Sequence, residues 1–470
     1  MLGFDTVGNA TLIAYDDTPV LACDPWICGS AYFGSWGLGH SIPAEQSRAV
    51  HEAPYVWFSH AHPDHLNAES LEALRDKTIL LANHVGGRIQ RDLTALGHRV
   101  RVLPDRQWVQ LSDQVRVNSF ADYNQDSVIL VDIGGALVIN LNDASDRGWA
   151  RYVQRIARTF ERSYLLRIGG YGDADMINLF DEEGHRIEPF AATKPSVGRR
   201  LAQYAGLCGA NHVIPFSSFH CYQREDSAWA SQYATPVAAH AEGFEASGAE
   251  ILPAFVRVDG RTGAVTPLRP EAVKPKLLPP SAFGDDWSES LDRDEETVVK
   301  RYFSAKRRLR SRFGFVSVRV GGRETVVDLN PKARRIGITF ETPRASLLAA
   351  LEYEVFDDLL IGNFMRTTLH GGADLYPHFT PTVAKHSDNG RAHTRADFAR
   401  YLASYVARAP LDAFRFFFEL QSESLFRRWV PSESWLYSRA KRAYWRIKLG
   451  RPGHSGNDLG DATAALPPGQ

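Results

Sequence analysis

Four residues able to bind metal ions lie within six positions of one loop: His60, His62, Asp64 and His65. Imidazole nitrogens and carboxylate oxygens are the usual protein ligands of first-row transition metals. Histidine is uncommon in this chain, at 16 of 470 residues, so a chance cluster in a polar loop is the weaker interpretation. The spacing therefore predicts a metal site.

The predicted backbone divides these side chains between two metal ions. An apolar run, Tyr55 to Phe58, precedes the cluster and is typical of a buried strand. In extended backbone His60 and His62 lie on the same side of the chain, so they can bind one ion. Asp64 and His65 follow a proline turn and can face a second ion.

A dinuclear site needs an anion between its two cations, which repel each other at about 3.5 to 4 Å. Asp143 is the best candidate for this bridge, because it follows the apolar run Ala136 to Leu141. The alternative interpretation is that Asp143 caps a helix that starts near Arg147.

The motif His-x-His-x-Asp-His at 60–65 resembles the signature of the metallo-β-lactamase superfamily. More narrowly, the chain resembles the branch containing the metallo-β-lactamase-like part of CMP-N-acetylneuraminate hydroxylase. The matching segments span roughly residues 5 to 235 and are 24–26, 35–36, 59–65, 126–127, 140–143 and 215–219. The resemblance implies an α/β fold of the αββα sandwich type, with Asp143 at the position of the bridging aspartate.

One position departs from the hydrolases of that superfamily, which carry a Gly-His pair upstream of the bridging aspartate. Residues 121–127 read Ala-Asp-Tyr-Asn-Gln-Asp-Ser and contain no histidine. Asp126 matches the Asp-Ser pair of the hydroxylase-like branch, and Asp122 is the alternative. A carboxylate in place of an imidazole shifts the preference from zinc towards iron or manganese.

The last predicted ligand is His220. Hydrolases of the superfamily carry a histidine after a proline-ended strand, here 213–215, and His220 is the nearest histidine downstream. A surface or core histidine is the alternative interpretation. His40 could instead contact a substrate. The aromatic residues between Trp26 and Trp36 could form a lid over the substrate or simply pack their loop down.

Composition limits the partners of the protein. The formal net charge is −1, from 54 basic and 55 acidic residues, so no global field favours nucleic acid or an anionic membrane. Four cysteines without a CxxC pair fit a reducing compartment. No apolar run reaches the length of a transmembrane helix. These observations predict a soluble, cytoplasmic protein.

The order of predicted elements divides the chain into four segments. Residues 1–265 form the metal-binding domain, and the proline-rich residues 266–285 form a linker. Residues 286–449 form a smaller α/β domain, faintly similar to sterol-carrier-like modules, with C-terminal helices. Residues 450–470, rich in glycine, proline and aspartate, form a disordered tail.

The resemblance implies an oxygenase with two iron ions, or zinc or manganese ions, that hydroxylates a polar small molecule. The ligands would be His60, His62 and Asp126 for one ion, Asp64, His65 and His220 for the other, and Asp143 as the bridge. The chain lacks the Cys-x-His and Cys-x-x-His pattern of a Rieske cluster, so electrons would come from a separate protein. The alternative is hydrolysis of a phosphoester, lactone or amide by a metal-bound hydroxide. A noncatalytic lipid-binding or partner-binding protein is the third possibility.

Overall fold

The computed structural model describes residues 1–170, 178–193, 196–246, 248–429 and 439. The strands are β1 (Leu2–Val7), β2 (Thr11–Asp16), β3 (Thr18–Cys23), β4 (Trp36–Leu38), β5 (Tyr55–Phe58), β6 (Thr78–Leu81), β7 (Arg99–Val102), β8 (Trp108–Gln110), β9 (Val115–Ala121), β10 (Ser127–Ile133), β11 (Ala136–Asn142), β12 (Arg162–Ile168), β13 (Leu179–Phe180), β14 (His212–Phe216), β15 (His220–Tyr222), β16 (Glu250–Ile251), β17 (Val256–Asp259), β18 (Val265–Pro267), β19 (Phe315–Val320), β20 (Arg323–Asp328), β21 (Gly337–Glu341) and β22 (Arg366–His370). The α-helices are α1 (Ala44–Glu52), α2 (Ala68–Glu72), α3 (Arg88–Ala95), α4 (Ala150–Ala157), α5 (Val197–Cys208), α6 (Arg293–Ala305), α7 (Arg344–Glu352), α8 (Phe356–Ile361), α9 (Arg395–Arg408) and α10 (Pro410–Trp429).

Two sheets form the N-terminal part. Their strand orders are β18-β17-β1-β2-β3-β5-β6-β7 and β16-β14-β12-β11-β10-β9-β8. An apolar core that includes Trp57, Val131 and Leu166 lies between the sheets. The helices α1, α2 and α3 cover the outer face of the first sheet, and α4 and α5 cover the outer face of the second. The predicted αββα sandwich is confirmed.

Strand β10 shows why these segments form a two-sided sandwich. All seven of its residues are buried. Successive side chains of a strand point to opposite faces of the sheet. Accordingly Val128 and Leu130 pack under the helices, whereas Ile129 and Val131 pack between the sheets. A strand covered on both faces therefore has a continuous apolar sequence.

The edge of the sandwich where β3, β5 and β11 end carries the candidate ligands. Strands β3 and β5 run parallel, so the loops that follow them start side by side. The backbone N–H of Ser59 donates to Asp24 Oδ1 at 2.7 Å. Asn142, at the end of β11, donates to the other oxygen of Asp24. This pair of contacts ties the two sheets together at the candidate site.

The C-terminal part has its own sheet, ordered β13-β22-β21-β19-β20, and its own core beneath α6, α7 and α8. Strand β13 comes from the N-terminal part, and β18 extends to Pro267, within the segment predicted as a linker. Helix α6 leads into this part of the chain and ends at Ala305. The boundaries of the predicted domains stay predictions.

The predicted C-terminal helices of the segment 286–449 are present as α9 and α10, up to Trp429. The remainder of that segment and the predicted tail, 450–470, lie outside the described residues. Within the described part of the chain, no helix has both the length and the apolar character that crossing a bilayer requires.

Candidate metal centre

The turn after β5 brings the first two histidines together. Backbone N–H groups of His65 and Leu66 donate to the carbonyl oxygen of His62, which closes the loop tightly. Nε2 of His60 and Nδ1 of His62 lie 2.8 Å apart. Ser59 Oγ lies 2.9 Å from Nδ1 of His60, so Nε2 of His60 is left facing His62. The two ring nitrogens thus face each other at hydrogen-bond distance, and their assignment to one metal ion stays a prediction.

His65 is fully buried at the same edge. Its Nδ1 lies 3.2 Å from Asp24 Oδ2, and its Nε2 lies 3.3 Å from Asp64 Oδ2 and 3.6 Å from Asp143 Oδ2. A carboxylate on one ring nitrogen is the usual way to orient a metal-binding histidine. Asp24 therefore directs Nε2 of His65 towards the two other carboxylates.

Asp64 is held by two side chains from other loops. Its Oδ1 accepts a hydrogen bond from the Tyr32 hydroxyl at 2.5 Å, and its Oδ2 accepts one from Asn9 Nδ2 at 3.0 Å. Burial raises the pKa of Asp64, but His65 and the Tyr32 hydroxyl lower it by more, so it lies below its ordinary value. Asp64 is therefore a buried carboxylate in a fixed orientation.

Asp143 lies between the two halves of the site. One ligand atom from each of His60, His65 and Asp143 lies within 4.8 Å of the other two. Asp143 does not cap helix α4, whose N-cap is Trp149; the backbone N–H groups of Gly148 and Ala150 donate to Asp146 Oδ1 instead. The geometry thus favours the bridging interpretation of Asp143 over the capping one.

Asp126 lines the cleft that also contains His60 and His62. Asp122, the alternative ligand, has another role: its Oδ1 accepts from the backbone N–H groups of Asn124 and Asp126, at 2.6 and 3.2 Å. Asp122 therefore closes the loop that presents Asp126. Burial and the neighbouring Asp126 raise the pKa of Asp122 to about 8.

His220 lies at the start of β15 and stacks on Trp36. Neither of its ring nitrogens has a hydrogen-bond partner among the described residues. Burial lowers its pKa to about 3, and the charge of Asp64 opposes this shift. His220 is therefore a neutral, buried imidazole. Among the described residues it belongs to none of the groups of three side chains whose ligand atoms lie within 4.8 Å of one another, so its role as a ligand stays a prediction. His40 packs against Phe255 instead, with ring centroids 4.9 Å apart.

The aromatic loop between β3 and β4 is packed down. Trp26, Tyr32 and Trp36 are buried, and Phe33 packs against Phe364 in the C-terminal part. This placement favours the packing interpretation of the loop over an open lid. Tyr32 nevertheless reaches the site through its hydrogen bond to Asp64.

Two carboxylates at the site come from α8, in the C-terminal part of the chain. Asp357 Oδ2 lies 3.2 Å from Nε2 of His62, and Asp358 offers a further oxygen close to the same imidazole. Burial lowers the pKa of His62, but Asp357 and Asp358 raise it by more, to about 9. The sequence analysis did not identify either residue, since no local pattern links α8 to the loop after β5.

Other supporting residues were present in the sequence without being assigned to the site. Asp24 belongs to the Asp-Pro-Trp segment that carries the resemblance, but its contact with His65 appears only in the fold. Asp24 and Asn142 have φ values of 43° and 50°, in the left-handed region that side chains other than Asn and Asp rarely adopt. Such backbone is maintained only where its surroundings enforce it.

The donor set fits metal ions. Three buried atoms, Nε2 of His65, Oδ1 of Asp143 and Nε2 of His220, have no hydrogen-bond partner in the described part of the chain. Buried polar groups are normally paired. Asp64 and Asp143 also concentrate negative charge at this place: burial lowers the pKa of His65, but the two carboxylates raise it by more, to well above its ordinary value. Bound cations would satisfy both the unpaired atoms and this negative charge.

The comparisons agree with the motifs. A stretch of 142 residues is 25% identical to the cytidine monophosphate-N-acetylneuraminic acid hydroxylase of Asterias rubens, and it covers 28% of this chain and 22% of the hydroxylase. The chain is similar to this branch of hydroxylases. A putative Rieske 2Fe–2S iron–sulfur protein of Mycobacterium tuberculosis is 24% identical over 241 residues, which cover 46% of this chain and 44% of that protein. The chain spans less than half the length of either relative.

Solved structures that match part of the chain include a diiron enzyme and a hydrolase. CmlA, a diiron β-hydroxylase from Streptomyces venezuelae, matches with a TM-score of 0.30 and 13% identity, over 46% of this chain and 44% of CmlA. Igni18, a metallo hydrolase from Ignicoccus hospitalis, matches with a TM-score of 0.29 and 15% identity, over 45% of this chain and 81% of Igni18. No protein-family model matches the chain.

Proposed function

We propose that this chain is a dimetal oxygenase, with iron as the favoured metal, that hydroxylates a polar small molecule. The predicted ligands would form two sets that share a bridging carboxylate. They are His60, His62 and Asp126 for one ion, Asp64, His65 and His220 for the other, and Asp143 between them.

The observation that carries this proposal is the carboxylate at Asp126. It lines the cleft beside His60 and His62, where the hydrolases of this superfamily supply a third imidazole. Hard oxygen donors and added negative charge favour iron or manganese over zinc. The similarity to hydroxylases over part of the chain supports the same interpretation.

Bound iron would supply the redox chemistry that activates dioxygen. The balanced reaction consumes one dioxygen molecule, two electrons and two protons. One oxygen atom is inserted into a C–H or N–H bond to give a hydroxyl group, and the other is released as water. The electrons would come from a separate electron-transfer protein. The similarity to a Rieske iron–sulfur protein supports a reductant of that class.

The chain's own residues would bind and orient the substrate. A cleft lies beside His60 and His62. Arg88 and Lys385 line it together with Asp126, so polar or anionic groups of a substrate would find cationic partners there.

Metal analysis of protein purified without added metal tests the proposal. We expect two iron ions per chain and consumption of one dioxygen molecule per chain after anaerobic reduction with dithionite. Two zinc ions, no dioxygen consumption and activity on chromogenic esters would contradict it.

Hydrolysis remains a second candidate, favoured by the other half of the site. His65 and His220 would provide two imidazoles together with the Asp64 carboxylate, a donor set found in hydrolytic zinc sites. A metal ion there would lower the pKa of a bound water molecule. Asp126→His separates the candidates, since it restores the ligand set typical of hydrolases. A hydrolase should keep its activity, whereas an iron oxygenase should lose dioxygen consumption.

A further inference from the structure

His62 is engaged through both ring nitrogens, by two different parts of the chain. Nδ1 lies 2.8 Å from Nε2 of His60, and Nε2 lies 3.2 Å from Oδ2 of Asp357. We propose that Asp357 is the positioning residue of His62: it accepts a hydrogen bond from Nε2–H and thereby keeps the Nδ1 lone pair directed at His60 and the metal.

The other two histidines of the motif show the same arrangement with partners inside the sandwich. Ser59 Oγ lies 2.9 Å from Nδ1 of His60, and Asp24 Oδ2 lies 3.2 Å from Nδ1 of His65. In each case one ring nitrogen binds a supporting oxygen and the other faces the site. Asp357 completes this set for His62, although it lies 295 positions further along the chain.

Helix α8 holds Asp357 firmly in this place. Phe356, Leu359 and Leu360 pack in the C-terminal core, while Ile361 packs in the core between the second sheet of the sandwich and its covering helices α4 and α5. The Asp357 side chain is only 9% exposed, and that of His62 is 21% exposed. The helix therefore bridges the two cores with its carboxylate directed at His62.

Two hydrogen bonds fasten the end of α8 to the sandwich. Ser35 Oγ donates to the carbonyl oxygen of Gly362 at 2.6 Å, and Trp229 Nε1 donates to that of Asn363 at 2.8 Å. Neither touches His62, so the docking of α8 and the orientation of His62 can be tested separately. The inference rests on the proposed dimetal site but not on its oxygen chemistry.

The test measures Co²⁺ binding to the full chain, by competition with a chelator and by the visible absorption of the bound ion. The variants are D357A, which removes the acceptor, and D357N, which keeps a neutral acceptor for Nε2–H. W229F is the matched control, because it loosens the docking of α8 without changing the contact with His62. Circular dichroism checks that each variant is folded.

We expect D357A to lower the affinity for one of the two Co²⁺ ions by about 10- to 100-fold, as loss of a supporting partner does. The visible absorption of that ion should also shift. D357N should lose much less affinity, and W229F none. Unchanged Co²⁺ binding by D357A would overturn the proposal. Equal losses in D357N and D357A would also overturn it, since they would make Asp357 a direct ligand.

The same measurement distinguishes failure of this inference from failure of the dimetal site. If the unsubstituted chain binds no Co²⁺, or if H60A binds as much Co²⁺ as the unsubstituted chain, the proposed dimetal site is wrong. Asp357 then has no metal ligand to position. If H60A abolishes one ion while D357A leaves both unchanged, only the role of Asp357 is wrong.

Discussion

The imidazole of His220 stacks face to face on the indole of Trp36, with parallel planes and ring centroids 3.4 Å apart. The stacking fixes the ring while leaving both nitrogens without a hydrogen bond in the described part of the chain. A buried imidazole with two unpaired nitrogens is costly unless it binds something. The stacking and the two unpaired nitrogens therefore predict that His220 binds a metal ion.

Replacing His220 with Asn should remove about one metal ion per chain, because a neutral ligand beside Asp64 is lost. His240 provides a matched control, since it is also buried and stacked, on Phe219 at 5.4 Å. H240N should lower the stability and leave the metal content unchanged. Metal analysis after gel filtration measures both variants. Full metal content in H220N would identify His220 as a core residue.

Asp24 should be needed for binding at His65, although it reaches the metal only through that imidazole. D24A removes the hydrogen-bond acceptor at Nδ1 of His65. It should lower the affinity for the metal ion bound by His65 by about 10- to 100-fold. Asp5 is an equally buried carboxylate elsewhere in the sandwich, bound to Arg257. D5N should reduce stability without changing metal affinity. Chelator competition measures affinity, and wild-type affinity in D24A would contradict the positioning role.

Tyr32 and Tyr15 provide a similar pair of test residue and matched control. Each hydroxyl donates to a buried carboxylate, Tyr32 to Asp64 at 2.5 Å and Tyr15 to Asp5 at 2.9 Å. Both Phe variants should lose about 1.5 to 3 kcal/mol of unfolding free energy, since the acceptors are charged. Only Y32F should also alter metal affinity. Urea denaturation and metal titration separate the two effects, and a Y15F variant that alters metal affinity would contradict the assignment.

His386 should make the protein less stable in acid. Its ring packs among Tyr123, Phe398 and Tyr401, and burial lowers its pKa from 6.5 to about 3. Between these values the unfolded chain binds a proton that the folded protein excludes. Stability should therefore fall as the pH falls from 6.5 to 3, by about 1.4 kcal/mol per pH unit for this group.

Urea unfolding of H386N at several pH values checks this dependence. The variant should show a flatter decrease in stability towards acid pH than the unsubstituted chain. An H386N profile parallel to that of the unsubstituted protein would show that another group dominates the acid response.

The fold could be predicted from the sequence because continuous apolar runs identify strands covered on both faces, as in β10. The four-residue motif and Asp143 were also accessible, since each directly follows a recognisable strand. The structure groups ligand atoms of His60, His65 and Asp143, and separately those of His62, Asp357 and Asp358. The division of the predicted ligands between two ions therefore stays a prediction.

The supporting contacts could not be predicted in the same way. Asp24 and Asn142 meet only because the two sheets pack face to face, and nothing in either segment records that contact. Asp357 is further removed still, because its position depends on how α8 docks on the sandwich. Residues that bind metal have recognisable spacing, whereas residues that orient them depend on tertiary packing.

Strand β13 has a consequence for how the two parts of the chain can be separated. Leu179 and Phe180 precede the last strands of the sandwich in sequence, yet they pair with Thr367 and Thr368 in the C-terminal sheet. Cutting the chain at the proline-rich segment would leave the backbone of β22 without this neighbour, and an open sheet edge invites association with other chains. The proline-rich segment is therefore a poor place to truncate the protein for expression, and either half alone should be prone to aggregate.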